Sequence, residues 1–250
     1  MRLLSPDGLA PEEIAYKLFG LGRDSMSWSA AEVIGHGNFT SDPQLSHLSW
    51  KLASSGYFAE QVGLVAAAEL VAETEDAGLR FGLATAVADE ARHADAFLAY
   101  AKRVGGEIDD CADRIEPMGT TLRSLPYLGK ILVHTVLEGF AADEFFLLAK
   151  LFVGDALAEL YHHVRADEVR HVAIGISYLA RESANPASAD EWNTFAGEWL
   201  DKALGIVGVA GLARGLGAYL HQDPASIEDW FVRRHVARLR AARIQVPGGR

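Results

Sequence analysis

A five-residue pattern, Asp-Glu-x-Arg-His, occurs twice in this chain, as Asp89–His93 and again as Asp167–His171. Each copy follows a lone glutamate in an apolar stretch at one fixed distance. Glu60 precedes Glu90 by 30 residues and Glu138 precedes Glu168 by 30, so every matching position is offset by 78. On a helix, Glu and His three residues apart share a face, and each copy then offers one metal ion an oxygen and a nitrogen. With Glu60 and Glu138 the set becomes four carboxylates and two imidazoles, enough for two metal ions. Four carboxylates against two divalent cations sum to zero charge, which makes burial tolerable. One imidazole per metal among oxygen ligands suits iron or manganese better than zinc or copper.

The pair Glu-x-x-His alone is a weak signal: with 18 Glu and 9 His in 250 residues, roughly 0.6 matches arise by chance. Adding the Asp and the Arg lowers that expectation to roughly 0.003, and here the full pattern occurs twice. The added residues have a role of their own. Metal-bound imidazoles usually donate their second N–H to a carboxylate. Asp89 is therefore expected to support His171 and Asp167 to support His93, with Arg92 and Arg170 pairing with the aspartates. His134, one turn before Glu138 on the same face, is the candidate for an extra ligand or a hydrogen-bonding partner of one. Its plainer reading is a hydrogen-bonded core histidine.

Helices must position this set. Ser41-Asp42-Pro43 is a cap followed by a first-turn proline and predicts a helix from there to about Thr74, weakened locally by Gly56 and Gly63. A second helix is expected over about Ala77–Val104, a loop over Glu107–Thr120 with Pro117 and Gly119, a third helix over about Leu122–Val153, and a fourth from the Gly154-Asp155 turn to about Arg181. A short helix (about Pro11–Phe19) and a Ser/Gly-rich loop precede them. Helices over about Ala189–Leu204, Ile206–Leu220 and Ser226–Arg243 and a loose end, Val246–Arg250, follow. In each long hairpin the turn lies 16 residues after the lone glutamate and 14 before the motif glutamate. Antiparallel helices then hold the two acids side by side, about 20 Å from the turn at ~1.5 Å per residue. Two such hairpins can pair about a pseudo-twofold and bring all four carboxylates together. The predicted fold class is all-α: one domain over 1–250, with a metal-binding four-helix bundle over 44–181 and a helical extension over 182–250.

Composition narrows the function. A net charge of −11 argues against a general nucleic-acid binder. The one basic cluster, Arg233–Arg243, reads as a solvated or interface face of a helix. Leu128–Val153 is the longest apolar region, but His134, Glu138, Asp143 and Glu144 within it make it a buried bundle helix and not a membrane span. Cys111 is the only cysteine, which excludes an intramolecular disulfide or a cysteine metal site and fits a reducing, cytoplasmic compartment. The N-terminus shows no apolar core with a cleavage site, so no signal peptide is expected.

The duplicated pattern and its glutamate partners resemble those of the ferritin-like diiron-carboxylate superfamily, over roughly residues 44–181. The resemblance implies that Glu60, Glu90, His93, Glu138, Glu168 and His171 ligate two iron ions, with manganese or a mixed pair as the variant. It implies a non-haem diiron oxygenase or oxidase that activates O2 to hydroxylate, N-oxygenate or desaturate a small organic substrate, fed by a reductase or ferredoxin. It allows a homodimer and requires no nucleic acid and no membrane. The other reading is a ferroxidase or peroxide-consuming dimanganese or diiron protein, which needs no organic substrate. Ribonucleotide reductase small subunits of this superfamily carry a radical tyrosine four residues after the first metal histidine. Here that position is Phe97, which excludes radical storage there. Arylamine N-oxygenases add a histidine four residues before the second motif's glutamate. Here that position is Val164, beside His162 and His163.

A substrate needs space. In Glu138-Gly139-Phe140-Ala141-Ala142-Asp143-Glu144-Phe145-Phe146 the small residues leave room and the phenylalanines supply apolar walls. Phe97, Ala142, Phe145 and Tyr161 are the candidate pocket residues. Tyr57, Tyr161 and Tyr178 lie one or two turns from ligands and are candidate redox groups or core tyrosines. Glu69, Glu73 and Glu144 are spare acids, of which Glu144 could replace a ligand that shifts.

Overall fold

Asp42, Asp76 and Asp155 each stand ahead of a long helix, and their carboxylates accept from backbone N–H groups of its first turn: Asp42 from Gln44 and Leu45, Asp76 from Leu79, and Asp155 from Leu157. Such caps are worth about 1 kcal/mol apiece and fix where each helix begins. The computed structural model describes residues 4, 5, 9–24, 28–194, 196 and 208–245. Among them there are helices and no strands. The helices are α1 (Ile14–Asp24), α2 (Ala30–His36), α3 (Pro43–Glu73), α4 (Ala77–Gly105), α5 (Ala112–Arg123), α6 (Tyr127–Leu151), α7 (Ala156–Glu182), α8 (186–194), α9 (Val209–Leu220) and α10 (Pro224–Ala241).

Four of them, α3, α4, α6 and α7, form the bundle as two antiparallel hairpins, α3 with α4 and α6 with α7, packed through α4 against α7 and α3 against α6. The second hairpin turns at Gly154, whose φ of 87° is a left-handed conformation that glycine adopts without strain. Asp155 is the busiest cap. Besides Leu157 it accepts from the Thr40 backbone N–H at 2.7 Å and from the buried Tyr100 hydroxyl at 2.7 Å. It thereby ties the segment between α2 and α3 to both hairpins.

The helix expected over Pro11–Phe19 lies later, at Ile14–Asp24, and the Ser/Gly-rich segment holds the short helix α2. The expected loop over Glu107–Thr120 is replaced for most of its length by α5. Pro117 removes one backbone hydrogen bond from it, but Ile115, Met118 and Leu122 recur at helical spacing and pack toward the bundle. Burial of that face outweighs the local breakers. Of the later expectations, α9 and α10 lie within the expected ranges or two residues outside them, and the described start of α8 lies three residues before Ala189. Residues 195, 197–204, 206, 207 and 246–250 of those expectations lie outside the described residues.

A continuous buried apolar cluster runs from Ala30 through the bundle to Ile244. On the side of α6, α10 docks through charge as well as apolar contact. Arg234 and Arg238 donate three hydrogen bonds of 2.7 Å to the buried Asp143, and His235 stacks on Phe140 with ring centroids 4.7 Å apart. Part of the basic cluster is thus spent inside the molecule. No helix among the described residues is long and apolar enough to cross a membrane.

Candidate metal centre

The motif helices α4 and α7 face each other, with α3 and α6 closing the sides. Glu60, Glu90, His93, Glu138, Glu168 and His171 converge from these four helices, and all are buried. Their donor atoms form two overlapping groups, Glu60, Glu90, His93 and Glu168 in one and Glu90, Glu138, Glu168 and His171 in the other, each with all atoms within 4.8 Å of one another. Glu90 and Glu168 belong to both. His93 Nδ1 lies 3.3 Å from both Glu60 and Glu168, while His171 Nδ1 lies 3.0 Å from Glu138, 3.2 Å from Glu168 and 3.3 Å from Glu90. The buried Oε1 of Glu90 has no hydrogen-bond partner. An orphaned carboxylate oxygen beside two imidazole nitrogens and three further carboxylates fits cations that would sit among them. The geometry is that of a buried Glu/His cluster able to bind two metal ions.

Both imidazoles are oriented by the opposite helix. His93 Nε2 lies 3.2 Å from Asp167 and His171 Nε2 lies 3.2 Å from Asp89. Arg92 donates at 2.7 Å to both aspartates, and Arg170 donates to Asp167 at 2.7 Å and to Asp89. Two aspartates and two arginines, all buried except the partly exposed Arg92, thus close a charge-balanced square under the two histidines. Trp28, in the segment before α2, hydrogen-bonds Asp167 through its indole N–H at 3.3 Å, stacks on His93, and carries Arg92 over its face. Sequence reasoning missed Trp28, which stands alone in a serine-rich stretch with nothing local to mark it.

Electrostatics follow from crowding. Burial pushes the Glu90 and Glu138 carboxyls well up, reinforced by the Glu168 charge beside each. Burial would lower His93 and His171, but hydrogen bonds to Asp167, Glu168 and Glu60 for the first, and the Glu168 charge with bonds to Asp89 and Glu138 for the second, raise both. Glu168 is held low despite its burial, by Glu138 and the two histidines. Without cations the cluster therefore holds protons that cations would displace.

His134 is buried on the same face, its Nε2 3.4 Å from Glu138 but without a hydrogen-bond partner, and burial lowers it to about 4. It is a neutral imidazole at the rim of the cluster. Glu69 and Glu73 pair with Lys130, away from the cluster, and Tyr178 meets Tyr127 at 3.5 Å.

A cavity of about 300 Å³ adjoins the carboxylates. Phe97, Phe145 and Tyr161 line it; Ala142 is buried but lies outside the lining, and Ala141 borders the cavity instead. The lining arc of α6 passes through His134, Leu137, Glu138, Ala141, Phe145 and Leu148, at steps of three and four, and Ala142 falls one position off it. Ile115, Met118 and Leu122 of α5 close another wall, and their spacing was the available signal for it. Gly56 and Gly63 of α3 also border the cavity. A Cβ at Gly56 would meet the Phe97 ring at 2.9 Å, and one at Gly63 would meet Glu90 Oε2 at 2.8 Å. These glycines, which weaken α3 locally, let α4 approach.

No protein-family model matches the chain, and no curated protein matches it in sequence. Solved structures do. One variant of an R2-like ligand-binding oxidase with non-activated Mn/Mn cofactor superposes with a TM-score of 0.69 at 18% identity, covering 94% of each chain. Two others, one with aerobically and one with anaerobically reconstituted Mn/Fe cofactor, superpose at 0.67 and 0.66 with 16% and 17% identity, again over 94% of each chain. The chain therefore has the all-α, ferritin-like fold that these oxidases share.

Proposed function

We propose that this protein is an O2-dependent non-haem oxidoreductase with a dinuclear centre of iron, manganese or one of each, acting on a small organic molecule. Glu60 and His93 would hold one ion, Glu138 and His171 the other, and Glu90 and Glu168 would join both. When bound, the ions supply the redox equivalents for O2 reduction. The chain's own residues do the rest. Asp89 and Asp167 fix the imidazole tautomers and ring planes, Arg92 and Arg170 balance those aspartates, and the apolar cavity walls keep water from the reacting face.

The observation that carries this reading is the contact between two overlapping ligand sets and a largely apolar cavity of about 300 Å³. A cavity of this size, at the small end of ligand pockets, favours hydroxylation, N-oxygenation or desaturation of an organic substrate over iron storage or peroxide removal, which need none. The Mn/Fe and Mn/Mn cofactors of the structural neighbours support the choice of metals. Turnover then draws electrons from a reductase or ferredoxin.

Metal analysis and O2 uptake test it. Wild-type protein is expected to hold two ions per chain and to consume O2 when reduced. Glu90→Ala and His171→Ala are each expected to lose bound metal and O2 uptake. Two ions per chain retained in the double variant would remove the ligand assignment.

A further inference from the structure

We infer that the cavity beside the carboxylate cluster is built for an amine-bearing substrate, with Glu144 as the anchor for its amino group. This deepens the proposed function and rests on it. Glu144 stands on α6, six residues after Glu138, about 9 Å along the helix axis at 1.5 Å per residue. It lines the cavity together with Glu60, Glu90, Glu138 and Glu168. Those four acids are matched in charge by two divalent ions. Glu144 is the one acid of the lining outside both ligand sets. No lysine or arginine among the described residues lines the cavity, and Glu144 makes no ion pair with any. The only imidazole of the lining, His134, is buried against Glu138, 3.4 Å away. A charged carboxyl facing an apolar chamber without a counter-charge is costly: burial, with the Glu60 charge nearby, raises Glu144 to about 7, and an ammonium group arriving with the ligand would hold it in the charged form.

The walls state the rest of the ligand. Leu52, Val62, Phe97, Leu137, Phe145 and Leu148 present hydrocarbon, so the body between amine and reacting carbon is apolar. The ~9 Å rise along α6 from Glu138 to Glu144 is of the order of a six-carbon amine, which makes hexylamine the probe. A carboxylate-headed ligand of the same length would meet Glu144 as a like charge and be disfavoured.

The test uses binding and not turnover. Protein loaded with Mn(II) without O2 is titrated calorimetrically with hexylamine, hexanol and hexanoate. Hexylamine is expected to bind tightest and hexanoate weakest. Glu144→Gln, which keeps shape and loses charge, is expected to weaken hexylamine by at least about 30-fold while leaving hexanol unchanged and two ions bound. Glu144→Asp should recover part of the loss. Hexanol or hexanoate matching hexylamine in the wild type overturns the inference without any variant. So does Glu144→Gln that binds hexylamine like the wild type, or that loses an ion, since Glu144 would then be a ligand. Failure of the dinuclear reading is seen separately, as fewer than two ions in the wild type, and the difference in hexylamine affinity between the metal-free wild type and metal-free Glu144→Gln then tests the anchor.

Discussion

His171 on α7 points its Nε2 at Asp89 on α4, 3.2 Å away, and the same distance separates His93 on α4 from Asp167 on α7. Each motif thus orients the other's histidine. The aspartate belongs to the pattern because it serves the partner helix. Asp89→Asn keeps the shape and removes the charge that fixes His171. It is expected to weaken metal binding by 10- to 100-fold, roughly the cost of losing such an outer partner, as read by competition with a chelator. An unchanged affinity would mean that the ring is held by Glu138 and Glu168 alone.

The glycine at position 63 predicts a different lesion. Gly63→Ala places a methyl 2.8 Å from Glu90 Oε2. The obstacle is the far end of a flexible side chain, so the fold yields at a cost of about 1 kcal/mol, the low end for overpacking. Glu90 serves both donor groups, and displacing it should reduce the occupancy of both ions together. Metal analysis alongside thermal unfolding of the metal-free chain checks this. Loss of one ion only, or a large drop in metal-free Tm with full metal content, contradicts it.

The bundle and its cluster could be read from sequence because their determinants are local and repeated. Asp42-Pro43, Asp76 and Gly154-Asp155 mark the helix ends, and a fixed 30-residue interval places the acids at one depth. The cavity was read less well. Ala142 and Ala141 are chemically alike, and only the rotation of α6 against its neighbours decides which one borders the cavity. α5 was hidden by Pro117 and Gly119, whose local cost is outweighed by a buried face that needs the bundle in place to have any value. Trp28 reaches Asp167 across 139 residues, and no spacing rule spans that distance.

Proton release is the next prediction. Glu90, Glu138, His93 and His171 all have raised affinities for protons in the metal-free chain. Raised carboxyls penalise folding once pH passes the ordinary carboxylate range. Raised histidines contribute stability below the ordinary imidazole range and lose it as pH rises through their folded values. Both act in one direction, so the metal-free chain loses stability as pH rises. Glu168 and Asp167 are lowered, and theirs is lost only as pH falls into acid. Cations displace the protons and cancel the penalty. The gain in Tm on adding Mn(II) is therefore expected to grow from about pH 6 to about pH 8, with protons released into a weak buffer on titration. A gain that shrinks over that range would sink the proton-holding picture.

The last prediction concerns α10. Asp143 is 1% exposed, and its carboxylate is held by Arg234 and Arg238 alone among the described ion pairs. Arg234 is 42% exposed and Arg238 16%, so water already screens part of the interaction, and the second arginine carries more of it. Replacing both with alanine strands a charge in the core, which costs about 3–5 kcal/mol when no partner remains, with the screening placing this case at the lower end. Arg234→Ala alone should cost under about 1 kcal/mol, in the range of exposed pairs. Adding Asp143→Asn to the double variant should restore most of the loss, because the stranded charge is then gone. Denaturant unfolding of these variants beside the wild type measures the differences. If the triple variant is as unstable as the double, the loss comes from the packing and hydrogen bonds of the arginines themselves and not from a stranded charge on Asp143.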